Sequence, residues 1–176
     1  MPKRKMRLSK GTIGWGIFIV ISASFMQQLR NWLFDKLGDF FMTGSVKLCF
    51  VLLAISALIF ALKRRLGLLR AGLILSIFGL AYLFSTWQPY FSERSHVLTY
   101  GFLGYLAMRD LVAKGKRFKF LNFFMALLFI VLISVSDEGF QYFLPYRVGD
   151  IRDVFTNVIS GIFGLVLSTA ILPDEK

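Results

Sequence analysis

The sequence predicts an all-α membrane protein, a polytopic bundle of about six transmembrane helices with both termini in the cytoplasm. Of the 176 residues, 56% are hydrophobic and only 18% are charged. A soluble domain is about one quarter charged, so this composition argues against a disordered chain and against a soluble enzyme. Six apolar runs approach the length of about 20 residues that a helix needs to cross a bilayer. The basic residues collect beside alternate ends of these runs.

Each run is identified by its length and its flanks. The first follows five basic residues, and we interpret it as a retained helix because its apolar stretch is longer than that of a signal peptide. A basic turn separates the second run from the third, and another separates the fourth from the fifth. The fourth is short and opens with polar groups, and Pro145 ends the fifth. The runs are 11–29, 45–62, 68–87, 96–112, 121–136 and 151–172.

The charges predict the orientation of the bundle. Fifteen of the 21 Lys and Arg residues flank the side that holds both termini, which places that side in the cytoplasm. Seven of the 10 acidic residues lie on the other side, beside the single histidine. The basic excess is explained by topology and by anionic lipid headgroups, so no nucleic-acid partner is expected. Cys49 is the only cysteine, which excludes an intramolecular disulfide and a cysteine-based zinc site.

Polar side chains concentrate at the predicted outer boundary of the membrane. Ionisable residues at this depth are costly, and together they indicate a functional site. Asp137 and Glu138 are adjacent and point about 100° apart, so only one of them can point straight into the bundle. The candidate binding residues are Glu93, Arg94, His96, Tyr100, Asp137, Glu138, Gln141, Arg147, Asp150, Asp153 and Asn157.

Two rows of residues at helical spacing predict close helix packing. Asp150, Asp153 and Asn157 share one face of the sixth run, and that face continues through small residues at 161, 164 and 168. His96, Tyr100 and Gly104 form a similar row on the fourth run. Simpler roles stay open for the charged members. Asp150 can cap a helix, Asp153 can face its first turn, and Arg147 and Arg152 can pair with nearby carboxylates.

The stretch 136–157 resembles the signature of VanZ-like membrane proteins. That signature has an acidic pair, a Gln three residues on, Pro-x-Arg, two further Asp, and an Asn that leads into a Gly-rich helix. The matching residues here are Asp137, Glu138, Gln141, Pro145, Arg147, Asp150, Asp153, Asn157, Gly161 and Gly164. The segment 93–104 resembles the family's other motif, with Thr99 at a position that is often acidic.

The resemblance implies a division of the chain and a cellular setting. Residues 1–67 would form a basic N-terminus and two extra helices, residues 68–172 a VanZ-like four-helix core, and residues 173–176 a cytoplasmic tail. The setting would be the bacterial plasma membrane, with the functional face outside the cytoplasm. The family's namesake is associated with low-level teicoplanin resistance, so the resemblance implies a role at the cell envelope.

Two functions remain open. The first is binding of membrane lipids, a lipid-linked cell-wall precursor or a glycopeptide, with Arg147 and Arg152 holding phosphate or carboxylate groups. The second is a hydrolase or transferase at the membrane boundary, with His96, Glu138 or Asp137 as the catalytic candidate. A single histidine among scattered carboxylates is a loose ligand set, so neither a metal nor another cofactor is expected.

Overall fold

The computed structural model describes residues 7–112, 120–147 and 149–172. These residues form five helices and, within the described ranges, no strand, which confirms the all-α class. The basic segments at 1–6 and 113–119 and the predicted tail at 173–176 lie outside the described residues. The helices are α1 (Lys10–Lys63), α2 (Leu68–Trp87), α3 (Phe91–Leu111), α4 (Phe120–Tyr142) and α5 (Ile151–Ile171).

The predicted count of six spans is a little higher than the number of described helices that are long and apolar enough to cross a membrane. In the described part of the chain, four helices are long and apolar enough to cross a membrane, namely α1, α2, α4 and α5. The first two predicted runs both lie in α1, which continues through a kink at Gly38. The fourth run corresponds to α3, whose first two turns hold Glu93, Arg94 and His96 and therefore lower its apolar character.

Gly38 lets α1 reverse along the bundle. Its φ of 76° lies in the left-handed region, which glycine enters without steric cost. Before the kink, Thr12 contacts Asp110 at the end of α3, and Ser24 contacts the loop between α4 and α5. After the kink, α1 returns, and Ala61 packs in one cluster with the start of α2 and the end of α5. The two halves of α1 therefore run in opposite directions.

The bundle has two distinct ends. We call the end with the Gly38 kink, the α2–α3 turn and the loop 143–150 the site end. We call the end with Ser9, the α1–α2 turn and Leu172 the basic end. Both α3 and α5 begin at the site end and run parallel, while α4 runs in the opposite direction beside them.

The parallel pair α3–α5 is the closest helix contact, as the small-residue rows predict. A Cβ on Gly104 would overlap the carbonyl oxygen of Gly161, and a Cβ on Gly164 would overlap that of Gly101. Only glycine permits this approach, because the two backbones touch. The contact fixes the register that brings the polar starts of α3 and α5 together.

The outer surface of the bundle is apolar. On α4, the apolar residues Leu128, Leu132 and Val135 are 59%, 56% and 53% exposed, and their spacing places them on one face of the helix. A contiguous apolar surface of this extent is unfavourable in water, whereas the hydrocarbon of a bilayer covers it. Together with the four long apolar helices, this surface identifies a membrane protein.

Candidate functional site

The two predicted polar rows meet at the site end between α3 and α5. The Nδ1 of His96 lies 3.0 Å from the Oδ1 of Asn157, which is fully buried. An amide oxygen only accepts hydrogen bonds, so this contact requires a proton on Nδ1. Among the described residues, the amide nitrogen of Asn157 has no partner.

A chain of hydrogen bonds runs from α3 through α4 into the following loop. The hydroxyl of Tyr100 donates to Asp137 over 2.8 Å, and the amide of Gln141 donates to the other carboxylate oxygen over 3.1 Å. The guanidinium of Arg147 then donates to the amide oxygen of Gln141 over 2.6 Å. We call these four residues, Tyr100, Asp137, Gln141 and Arg147, the Asp137 network. Asp137 is only 2% exposed, so these bonds replace the water that its carboxylate has lost.

Glu138 is also buried, but it faces the loop and not α3. Its carboxylate accepts from the backbone N–H of Asp150 over 3.2 Å and lies 3.5 Å from the amide of Gln141. A Cβ on Gly149 would come within 2.7 Å of the carbonyl oxygen of Glu138, so glycine is required where the loop crosses α4. Glu138 therefore ties the loop to the end of α4, while its neighbour Asp137 points into the bundle.

Two arginines that the sequence suggested for the site bond neighbouring protein groups instead. Arg94 donates from Nε to the carbonyl of Gln88 over 2.9 Å and closes the α2–α3 turn. Arg152 lies 2.6 Å from Asp150, which also caps α5 through the backbone N–H of Arg152. These bonds lower the pKa of the Asp150 carboxyl below its ordinary range. Capping and local pairing account for Asp150 and Arg152, as the simpler alternative expected.

Two further acidic candidates lie at the edge of the site. Asp153 stands in the first turn of α5, within electrostatic reach of His96 and Arg147. Glu93 stands in the first turn of α3 and faces Asp153 across the helix pair. Neither residue lines the cavity described next, so both contribute charge to the rim.

A cavity of about 490 Å³ opens at the site end between the two halves of α1, α3 and α4. Five predicted residues line it, and its remaining wall is mostly apolar and comes mainly from α1, with a smaller part from α3. The five are His96, Tyr100, Asp137, Gln141 and Arg147. The apolar wall includes Met26, Leu29, Leu33, Leu37, Phe41 and Met42. A polar floor and an apolar wall therefore face the same space.

Arg30 also lines the cavity, and the sequence reasoning did not select it. It extends from α1 on the same face as Met26, Leu33 and Leu37, at helical spacings of four, three and seven residues. In the sequence, Arg30 stands out as a single arginine beside this apolar stripe. Its position on the cavity could not be predicted, because the packing of α1 against the site depends on the kink at Gly38.

The donor set within the described residues is poor for a metal ion. No three His, Cys, Asp or Glu side chains in the described ranges come close enough to hold one. The two most buried carboxylates, Asp137 and Glu138, already accept hydrogen bonds from protein groups. The arrangement is better suited to hydrogen bonding and to binding an anion than to coordination.

The model of the VanZ/LLP1 family matches residues 12–172, nearly the whole chain. The matched range includes both halves of α1 and is wider than the predicted core of residues 68–172. No curated protein sequence and no solved structure matches the chain.

Proposed function

We propose that this membrane protein, which belongs to the VanZ/LLP1 family, binds a lipid-linked molecule of the bacterial cell envelope in the cavity at its site end. The observation that carries the proposal is the division of the cavity into a polar floor and an apolar wall. An amphiphile has the same division, with a polar head and apolar chains. The volume of about 490 Å³ lies in the range typical of small-molecule sites.

The charge distribution supports a position at the outer leaflet of the plasma membrane. In the sequence, most Lys and Arg residues adjoin the helix ends that form the basic end, and such an excess marks the cytoplasmic side of a membrane protein. The site end, with its cavity, then faces the outer leaflet. Lipid-linked cell-wall precursors expose their polar heads at this depth, so we propose them as the class of ligand, with membrane lipids as competitors.

A pair of matched tryptophan substitutions tests the binding proposal. Ser95 lines the cavity and Ser136 lies on the exposed face of α4, and each hydroxyl bonds a carbonyl of its own helix over 2.7 Å. Ser95→Trp fills the cavity, whereas Ser136→Trp adds the same bulk toward lipid. The proteins are purified from bacterial membranes, and the retained amphiphiles are identified by mass spectrometry after organic extraction. Loss of a specific amphiphile from the first variant alone supports the proposal, and identical profiles contradict it.

We also propose that this binding contributes to tolerance of glycopeptide antibiotics of the teicoplanin type. The support is the resemblance to the family's namesake together with the position of the cavity at the envelope face. The test is the minimal inhibitory concentration of teicoplanin for a susceptible bacterium that expresses the protein. Wild type and Ser136→Trp are expected to raise it, and Ser95→Trp is expected to leave it at the level of the empty vector. No increase with the wild type contradicts this part of the proposal.

A second candidate function is a hydrolase or transferase that acts on the same ligand. The observation that favours it is the position of His96, which lines the cavity and whose Nδ1 is held by Asn157. A neutral imidazole in this position could act as a general base through Nε2. Asp137 and Glu138 are weaker catalytic candidates, because their oxygens already accept hydrogen bonds.

The two candidates differ in the fate of the retained molecule. Wild type, His96→Gln and Glu138→Gln are incubated in detergent micelles with the extracted amphiphile, and its mass is followed over time. A change of mass with wild type that is lost in His96→Gln while binding persists supports catalysis. An unchanged molecule with all three proteins supports binding alone. Glu138→Gln is expected to remain inserted in the membrane, because an amide oxygen can still accept from Asp150.

A further inference from the structure

Two arginines face the same cavity from elements that are far apart in the sequence. Arg30 reaches it from α1, and Arg147 reaches it from the α4–α5 loop. The two guanidinium groups are close enough to repel one another. Both side chains are partly buried, so the repulsion is screened less than it would be in water.

Neither arginine has an ion-pair partner among the described residues, in contrast to two other arginines. Arg109 lies 3.0 Å from Asp110, and Arg152 lies 2.6 Å from Asp150. Arg30 makes only a 3.4 Å contact with the amide oxygen of Asn31, and Arg147 donates to the neutral Gln141. The cavity therefore has two guanidinium groups that neutral amides satisfy only in part.

The negative charge around the cavity is already engaged or peripheral. Asp137 is the one carboxylate among the residues that line it, and Tyr100 and Gln141 donate to its oxygens. Glu138 and Asp153 lie within electrostatic reach of Arg147 but outside the cavity wall. Partly desolvated like charges are stabilised by an anion placed between them.

We infer that Arg30 and Arg147 together bind the phosphate group of an anionic amphiphile whose chains lie along the apolar wall of α1. Guanidinium groups bind phosphate oxygens through forked, charge-assisted hydrogen bonds, and two of them can hold one phosphate from opposite sides. Arg30 and the apolar residues Met26, Leu33 and Leu37 share one face of α1, so head and chains would lie on the same helix. This inference rests on the proposed function and adds that the bound amphiphile carries a negatively charged phosphate.

Native mass spectrometry in detergent micelles provides the test. Wild type, Arg30→Gln and Arg147→Gln are titrated with dioleoylphosphatidylglycerol or, separately, with dioleoylglycerol, which has the same chains and no phosphate group. Arg152→Gln is the matched control, because Arg152 lies at the same end but pairs with Asp150. Arg30→Lys keeps the positive charge but cannot form the forked pair of hydrogen bonds that a guanidinium group makes. Thermal unfolding of each variant verifies that it is folded.

Wild type and Arg152→Gln are expected to bind the phosphatidylglycerol about tenfold more tightly than dioleoylglycerol, a difference of about 1.4 kcal/mol. Arg30→Gln and Arg147→Gln are each expected to lose that preference, and Arg30→Lys to keep part of it. Equal preference in wild type and both Gln variants overturns the inference. Loss of preference only in Arg152→Gln also overturns it.

Two further outcomes separate this inference from the proposal on which it rests. If wild type retains both lipids equally, the cavity binds amphiphiles and the phosphate site is wrong. If wild type and Ser95→Trp retain neither lipid nor any other amphiphile, the proposed function itself fails. Inorganic phosphate is added as a competitor. Displacement of the phosphatidylglycerol by equimolar phosphate would assign the site to a soluble anion and overturn the lipid form of the inference.

Discussion

The two ends of the bundle use the same kind of bond for different purposes. At the basic end, Asp110 accepts from the hydroxyl of Thr12 and from the backbone N–H of Ser9 over 2.8 Å. At the site end, Asp137 accepts from the hydroxyl of Tyr100 over 2.8 Å. In each case, a carboxylate on one helix holds a hydroxyl from another.

The difference lies in what each carboxylate is connected to. Asp110 is also paired with its neighbour Arg109, so its charge is neutralised locally and the cluster ends there. Asp137 has no such arginine among the described residues and bonds Gln141, which in turn bonds Arg147 on the cavity. A closed cluster fastens two helices, whereas an open chain of hydrogen bonds also positions a group that can meet a ligand.

Removal of the Asp137 carboxylate is expected to have the largest effect. Asp137→Ala leaves the buried hydroxyl of Tyr100 without its acceptor and the amide of Gln141 with only its 3.5 Å contact to Glu138, which costs about 3 kcal/mol of unfolding free energy. It also loosens Gln141, the hydrogen-bond partner of Arg147, so amphiphile retention should fall together with stability. Unfolding in sodium dodecyl sulfate and the lipid titration measure the two effects. Asp137→Asn, which keeps an acceptor for Tyr100, should recover part of the stability.

The corresponding change at the basic end should separate stability from binding. Asp110→Ala removes the acceptor for Thr12 and Ser9 and is expected to cost about 2 kcal/mol, because Thr12 is fully buried. Lipid binding should match that of wild type, since no bond connects Asp110 to the cavity in the described residues. A loss of binding as large as that of Asp137→Ala would remove the distinction between the two ends.

Deletion of a single hydroxyl at each end sharpens the comparison. Tyr100→Phe and Thr12→Val each remove one donor to a carboxylate, and each should cost about 1 kcal/mol of stability. Only Tyr100→Phe should weaken lipid binding, by severalfold, because Asp137 is then held by Gln141 alone. The same unfolding and titration assays measure both variants. Equal binding by the two variants would mean that the Asp137 network has no role in the cavity.

The smallest effect is expected from Asp150 and should appear only at low pH. Its pKa is lowered from the ordinary 3.8, chiefly by its hydrogen bonds to Arg152. A carboxyl whose folded-state pKa is depressed stabilises the fold above its unfolded pKa and loses this contribution as the pH falls through the folded value. The wild type should therefore lose a little more thermal stability than Asp150→Asn between about pH 4 and pH 2. Parallel curves would assign no role to this cap.

The sequence was a better guide to which residues form the site than to which hydrogen-bond or ion-pair partner each residue has. Helical spacing placed His96 with Tyr100 and Asn157 with the glycine row, and the structure joins these faces because glycine on both helices lets α3 and α5 touch. The polar candidates Arg94 and Arg152 could not be separated from Arg147 by spacing, since all three lie at the same depth. Their difference depends on which carbonyl or carboxylate lies nearby, and that is set by turns that bring distant residues together.

By itself the sequence determined the class of the protein, the segregation of charge between its two ends and the small-residue contact between α3 and α5. These properties follow from composition and from the periodicity of one helix, which are local. The tertiary structure decided that α1 reverses at Gly38, that its apolar face lines the cavity and that Arg30 and Arg147 line the same space. These features depend on one backbone rotation that sets the direction of the following helix, and no periodicity within a helix specifies that direction.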